Sequence, residues 1–228
     1  MVVLHRFKNR MEAGALLAQR LVAYAGRDDV LVLALPRGGV PVAFAVSQAL
    51  RLPLDVLLVR KLGVPGHEEY AMGAIASGGW SVLHRDVLNS LGITMATVEQ
   101  ATRRETAELA RRERLYRAGR APLDLQGRTL ILIDDGLATG ASMQAALQAA
   151  KAGKPARVIV AIPVAPPDTC RSLRGQADDI VCLQSPELFQ AVGQWYEHFD
   201  QTSDDEVIDL LAQADRAQAA RAAKAPNL

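Results

Sequence analysis

Two hydrophobic periodicities alternate along the chain. Asn9–Ala25 places Met11, Ala15, Leu16, Ala18, Leu21 and Val22 on one stripe, which predicts an amphipathic helix. Val30–Leu35 is an unbroken apolar run of strand length, closed by Pro36-Arg37-Gly38-Gly39, and Pro41–Leu50 reads as a helix packing on it. Pro53 precedes a second buried run, Leu54–Arg60. Gly63–Gly79 is rich in Gly and Pro and reads as a loop with a short strand at Ala71–Ser77, onto which Trp80–Leu83 folds back. Thr94–Arg120 is a long, densely charged helix. Thr129–Ile133 is a third strand, a helix follows through Ala150, and Arg157–Pro163 and Asp179–Leu183 supply two more strands. From Asp204 the chain is Ala-rich and helical, with no apolar stripe after Leu211. Strand–turn–helix–strand units of this kind predict an α/β fold with a parallel sheet.

Composition narrows the classes. Half of the 228 residues are hydrophobic but only 4% are aromatic, so the core must be built from Val, Leu, Ile and Ala. A chain of this length can bury roughly 70% of its unfolded surface in one globule, which favours a single domain over residues 1–228. The net charge of +1 gives no bulk electrostatic reason to expect a nucleic-acid partner or anionic lipid. Cys170 and Cys182 lie outside any metal-ligand or CxxC spacing, and so sparse a pair fits a reducing cytoplasm. No apolar run approaches the ~20 residues of a membrane span, and Met1–Arg6 lacks the apolar core of a signal peptide.

The most informative stretch is Leu130-Ile131-Leu132-Ile133-Asp134-Asp135-Gly136-Leu137-Ala138-Thr139-Gly140-Ala141-Ser142. Four apolar residues make a buried strand that ends in two adjacent carboxylates, which lose solvation and repel each other unless a ligand uses them. Thr139 to Ser142 can wrap backbone N–H groups, two hydroxyls and a helix N-terminus around a phosphate. Acceptors for sugar hydroxyls beside donors for a phosphate describe a ribose 5-phosphate cradle. An Asp–Thr–Ser cluster is also what an ordinary capped helix start looks like.

That segment resembles the phosphoribosyl pyrophosphate (PRPP) motif of the type I phosphoribosyltransferases: four apolar residues, two acids, a variable pair, then a Thr-Gly-x-Thr/Ser turn. The resemblance implies an open, mainly parallel sheet flanked by helices, with a flexible lid and a small hood. It implies that Asp134 and Asp135 hold the ribose hydroxyls and that Ala138, Thr139, Gly140, Ala141 and Ser142 bind the 5′-phosphate. Many members have Thr where this chain has Ser142, and the hydroxyl is kept. Hypoxanthine/guanine members usually carry Asp at the position of Ala138, whereas adenine members carry Ala, which tilts the acceptor toward a purine.

Arg37, Gly38 and Gly39 stand where the family keeps a pyrophosphate loop, and Arg60 and Lys61 match a basic pair that adenine-type members place beside the pyrophosphate. Either segment by itself reads equally as a strand-end turn or solvated charge. Residues 62–120 fall where a lid or helical insertion is expected. Glu69 there echoes a lid acid that would serve as an acid/base group, against a plain surface turn. His67 reads as a solvated loop histidine. In Thr94–Arg120 the interleaved Glu and Arg suggest a solvated face with i,i+4 pairing. Residues 184–203 are the candidate hood: Phe189 and Trp195 are candidates to stack on a base, against core packing, and Glu197 to help hold Mg2+ with Asp134 and Asp135. Residues 212–228 are a helical tail.

The PRGG loop, the DDGxATG segment and the late Trp195-Tyr196 pair together are similar to a bacterial group of predicted phosphoribosyltransferases whose name carries no substrate. The activity implied is transfer of ribose 5-phosphate from PRPP to a nitrogenous base with Mg2+ and release of pyrophosphate, by a cytoplasmic homodimer. Competing expectations are a non-catalytic PRPP sensor that contacts RNA or DNA through the Arg-rich helix, and a flavodoxin-like phosphate module.

Overall fold

The computed structural model describes residues 5–223, with the side chains of Glu68 and Glu69 outside the description. Five strands form one parallel sheet in the order β2-β1-β6-β7-β8: β1 (Val30–Ala34), β2 (Leu54–Val56), β6 (Thr129–Ile133), β7 (Arg157–Val164) and β8 (Asp179–Gln184). All residues of β1 and β6 are buried, and the two run in register from Val30 opposite Thr129 to Ala34 opposite Ile133.

Period-two geometry sends alternate side chains to opposite faces. Val30, Val32, Ala34, Ile131 and Ile133 enter the layer of α1 (Arg10–Arg20), α2 (Gly39–Leu50) and α7 (Asp204–Ala222). Leu31, Leu33, Leu130 and Leu132 enter the layer of α5 (Ala141–Ala152), with Met143, Ala146 and Leu147. Each such Leu or Ile removed from water contributes roughly 1.5–3 kcal/mol. A strand covered on both faces has no polar positions, which is why these runs read as unbroken apolar stretches.

β1 leads through α2 to β2 on one side, whereas β6 leads through α5 to β7 on the other. The neighbours β1 and β6 therefore send their following loops apart, and a crevice opens at their carboxyl ends, where open α/β sheets bind ligands.

Between β2 and β6 the structure departs from the sequence expectation. Leu54–Arg60 is not one strand: β2 stops at Val56, and Val59 starts β3 (Val59–Val64) in a second, antiparallel sheet. The expected loop at Gly63–Gly79 is mostly β4, a ten-residue strand (His67–Ala76) paired with β3, with irregular register around Leu62–Val64. Glycines at 63, 66 and 73 read as breaker signals, but Gly73 is needed inside the strand because a Cβ there would meet Val82 O at 2.4 Å. Trp80–Leu83 folds back as β5, as expected. Then come α3 (Arg85–Ser90) and α4 (Met95–Arg117), the latter capped by Thr94, whose side chain accepts from Thr97 N.

The face of α4 is not purely solvated. Glu108 pairs with Arg111 and Arg112 on the surface, but Glu105 is buried against Arg60 of β3 at 2.7 Å, and Arg117 is bidentate to the mostly buried Asp55. These pairs dock α4 on the second sheet and on β2. No described helix is long and apolar enough to cross a membrane.

Candidate active site

Asp134 and Asp135 follow β6 at the crevice. Desolvation beneath the sheet edge and mutual repulsion raise the Asp134 carboxyl well above the ordinary aspartate range, and its Oδ1 accepts from Asp135 N at 2.9 Å. Burial also raises Asp135, opposed by Arg10, whose Nε donates to Asp135 Oδ2 at 2.9 Å. Arg10 is positioned from the first turn of α1, where Asn9 caps the helix by accepting from Glu12 N, and its guanidinium lies 3.9 Å from the centre of the Phe199 ring. From the other side Tyr196, 1% exposed, donates its hydroxyl to Asp135 O at 2.5 Å.

The Pro36–Gly39 loop closes over this acid pair. A Cβ at Gly38 would lie 2.1 Å from Asp135 Oδ2, and one at Gly39 would lie 2.7 Å from Ile133 O and 2.9 Å from Asp134 Cα. The sequence pattern assigns these glycines to close approach by an anion. In the structure the two glycines also make room for the protein's own Asp135 carboxyl group and the backbone of the neighbouring strand end. The Pro36–Arg37 peptide is cis.

Residues 138–142 are arranged differently. Ala138, Thr139, Ala141 and Ser142 are exposed, and Gly140, at φ +76°, is the N-cap of α5 with no side-chain cap. The first amides of that helix therefore face outward without a capping oxygen, apart from a long 3.4 Å contact from Ala141 N to Thr139 Oγ1. An ordinary capped helix start would have used them. The loop is held from behind by Thr169 of α6 (Pro167–Leu173), whose Oγ1 donates to Ala138 O at 2.6 Å and whose Cγ2 lies 2.9 Å from where a Gly140 Cβ would be.

One cavity of about 310 Å³ joins these parts. Leu35 and Pro36 after β1, Leu57–Lys61 from the end of β2 into β3, Asp134 after β6, Ala141, Ser142 and Ala145 of α5, and Leu109 and Arg112 of α4 line it. Arg60 lines the cavity with its guanidinium turned to Glu105, while Lys61 is largely exposed. Although Arg60-Lys61 lies in the second sheet and not at the end of a parallel strand, the break after Val56 still delivers it to the crevice. Arg37 faces a smaller cavity of about 230 Å³ with Arg111, Arg112, Tyr116 and Asp204, and it sits 3.5 Å from Asp204. Arg112 borders both.

The remaining candidates lie elsewhere. Phe189 and Trp195 stack on each other, with centroids 6.4 Å apart, and pack against the cluster of Phe7, Val164 and Tyr196. Neither lines the cavity. Glu197 is exposed, and its backbone N–H donates to Phe7 O. Glu69 belongs to β4, and its side chain lies outside the described residues. Among the described residues no three of His, Cys, Asp and Glu converge as metal ligands.

Sequence reasoning misses Arg10, Tyr196 and Arg112. Arg10 and Tyr196 act across 125 and 61 positions of chain. Arg112 is hidden in a helix whose charges pair locally.

The acid pair, the uncapped helix start and the basic segment meet at one crevice beside the parallel sheet. The chain belongs to the phosphoribosyl transferase domain family, whose model matches residues 4–198. Two Mycobacterium tuberculosis proteins, named "Putative phosphoribosyl transferase MT0597" (strain CDC 1551 / Oshkosh) and "Putative phosphoribosyl transferase Rv0571c" (strain ATCC 25618 / H37Rv), are each 48% identical over 210 residues. That alignment covers 92% of this chain and 47% of each relative, so the chain spans about half the length of the curated relatives it matches. The crystal structure of TT1426 from Thermus thermophilus is similar over 91% of this chain and 98% of that one, at 42% identity and a TM-score of 0.84.

Proposed function

We propose that this chain binds PRPP in the 310 Å³ cavity and transfers its ribose 5-phosphate to a nitrogenous base, releasing pyrophosphate. The observation that carries the reading is that Pro36, Lys61, Asp134 and Ser142, from four separate segments, line the same cavity. The amides of residues 138–142 receive the 5′-phosphate, and Asp134 and Asp135 accept from the ribose hydroxyls. A bound sugar supplies these desolvated carboxylates with donors beyond Asp135 N and Arg10. Lys61 and Arg112 face the leaving pyrophosphate, with Arg37 at its outer end.

Displacement at C1 builds positive charge on the sugar and negative charge on the leaving group. The protein's contribution is then positioning and charge placed in advance. The donor set suits Mg2+ as part of the substrate: with Asp135 taken by Arg10 and Glu197 away from the cavity, Asp134 is the one carboxylate among its described lining residues. Most oxygens around the ion would come from pyrophosphate, ribose and water. When bound, the ion neutralises charge developing on pyrophosphate. Ala138 and the Arg60-Lys61 pair favour a purine acceptor.

The test is pyrophosphate release from Mg2+–PRPP with pooled free purines and pyrimidines, against a no-base blank. Base-dependent release is expected, and splitting the pool names the acceptor. Release in no pool, together with no PRPP binding by calorimetry, overturns the reading. Binding without release reassigns the chain to PRPP sensing.

A further inference from the structure

The smaller cavity, of about 230 Å³, is lined by Arg37 of the Pro36–Gly39 loop, Arg111, Arg112 and Tyr116 of α4, and Asp204 in the first turn of α7. Every one of these side chains carries a charge or a hydroxyl, which suits a small, strongly polar ligand. Of the five, only Arg112 also lines the PRPP cavity. The acids nearby are already engaged. Glu108 accepts from both Arg111 and Arg112, and these hydrogen bonds hold its carboxyl at about 2, so it is ionised at neutral pH. Asp204 Oδ1 accepts from the Tyr116 hydroxyl. Burial and that hydrogen bond raise Tyr116 to about 12, so it stays protonated and keeps donating. Among the described residues, Asp204 is also the one carboxylate within ion-pair distance of Arg37, at 3.5 Å. That is longer than an ordinary charge-assisted hydrogen bond. Three guanidiniums thus share two carboxylates, and one positive charge is left over.

We propose that this cavity is a second anion site, which takes a phosphate group other than those of PRPP and opposes PRPP binding through Arg37 and Arg112. The chemistry favours phosphate over carboxylate. One planar guanidinium fork fills a planar carboxylate, whereas three forks from a loop and a helix match the several oxygens of a tetrahedral dianion. Tyr116 adds a hydroxyl to the same wall.

The opposition follows from sharing. Arg37 and Arg112 are the cations that the proposed function sets on the pyrophosphate side of PRPP. A phosphate beside them neutralises charge that would otherwise act on pyrophosphate, and its own charge repels that group across the shared guanidinium. Coupling of this kind is reciprocal, so PRPP weakens phosphate binding by the same factor. The coupling rests on the PRPP reading of the larger cavity; the anion site itself does not.

The experiment is calorimetric titration of the full chain with inorganic phosphate, and with phenyl phosphate as a monoester, at constant ionic strength. Saturable binding is expected, weakened about tenfold in Arg111→Gln and unchanged in Ser142→Ala, whose hydroxyl belongs to the PRPP cavity. Arg111→Lys, which keeps the charge but not the fork, should fall between Arg111→Gln and the parent. Tighter binding of phenyl phosphate than of inorganic phosphate would identify the ligand as a phosphate carried on a larger molecule, and the reverse order as the free ion. Arg111 does not line the PRPP cavity, so without phosphate Arg111→Gln should bind Mg2+–PRPP as the parent does. Saturating phosphate should weaken Mg2+–PRPP binding several-fold in the parent and leave it unchanged in Arg111→Gln. Absence of saturable binding, or binding lost in Ser142→Ala and kept in Arg111→Gln, overturns the site. Equal PRPP affinities with and without phosphate, or the same weakening in Arg111→Gln, overturn the opposition. If the parent binds no PRPP the proposed function fails, while the phosphate titrations of the variants still decide the site.

Discussion

Residues 134–135 and residues 138–142 are parts of one loop, yet they are built in contrasting ways. The acid pair is held by Arg10, Tyr196 and the Gly38–Gly39 backbone, all before any ligand arrives. Residues 138–142 are braced from outside by Thr169 through Ala138 O, and the helix start at Gly140 has no side-chain cap, with Ala138, Thr139, Ala141 and Ser142 exposed. The acids need a scaffold because a desolvated carboxylate pair drives itself apart, whereas uncapped amides are satisfied by water until a phosphate replaces it. Substitutions around 134–135 should therefore change stability, in either direction, as well as affinity, and those at 138–142 should change affinity alone.

The largest effect is expected where the acid scaffold is tightest. Gly39→Ala puts a Cβ 2.7 Å from backbone Ile133 O, which cannot swing aside, and overpacking of this kind costs ~1–3 kcal/mol or more. A urea midpoint unchanged from the parent would show that the Pro36–Gly39 loop is loose. Asp134→Asn separates ligand from fold. Losing charge-assisted hydrogen bonds of ~1.5–3 kcal/mol predicts ~10–100-fold weaker PRPP binding by calorimetry.

The stability of the same variant should move the other way. Below the ordinary aspartate range both folded and unfolded states hold the Asp134 proton. As pH rises, the unfolded chain releases it first, because the folded pKa is raised. Native stability thus falls with pH until the folded pKa is passed. Asp134→Asn should melt above the parent at neutral pH and level with it in acid; equal melting at both pH values would mean the carboxylate is well solvated.

Tyr196→Phe should cost ~1 kcal/mol of stability by leaving Asp135 O unpaired, with a smaller loss of affinity. Ser142→Ala should be the mildest: a thermal midpoint within error of the parent, and PRPP binding weakened a few-fold. A clear fall in its melting temperature would erase the contrast between the two halves of the loop.

The order of core strands and the Asp134–Ser142 loop are legible because a doubly covered strand is an unbroken apolar run and the loop's chemistry is local. Residues 57–79 are not. There the chain leaves one sheet for another without a turn signal, and Gly63 and Gly66 suggest a loop where Gly63 lies in β3 and β4 begins at His67, four residues before the expected short strand. The aromatics at 189 and 195 read as base platforms from their position in the sequence, but their rings pair with each other and pack on the small cluster of Phe7, Val164 and Tyr196. Arg60 reads as facing a leaving group; nothing near it in sequence reveals Glu105, forty-five residues on. Contacts across such spans leave no periodicity to find.

The clamp on Asp135 also has a consequence in time. Its two jaws come from distant parts of the sequence: the segment before α1 pairs with the segment after β8 through Phe7 and Tyr196, 189 positions apart. As the chain emerges from the ribosome, β1, β6 and β7 can collapse long before residue 196 is made. The carboxylates then sit at a sheet edge without their tyrosine, and this long-range closure is among the slowest kinds of contact to form. A nascent chain therefore carries Asp134 and Asp135 some sixty residues before it carries the hydroxyl that fixes the Asp135 carbonyl.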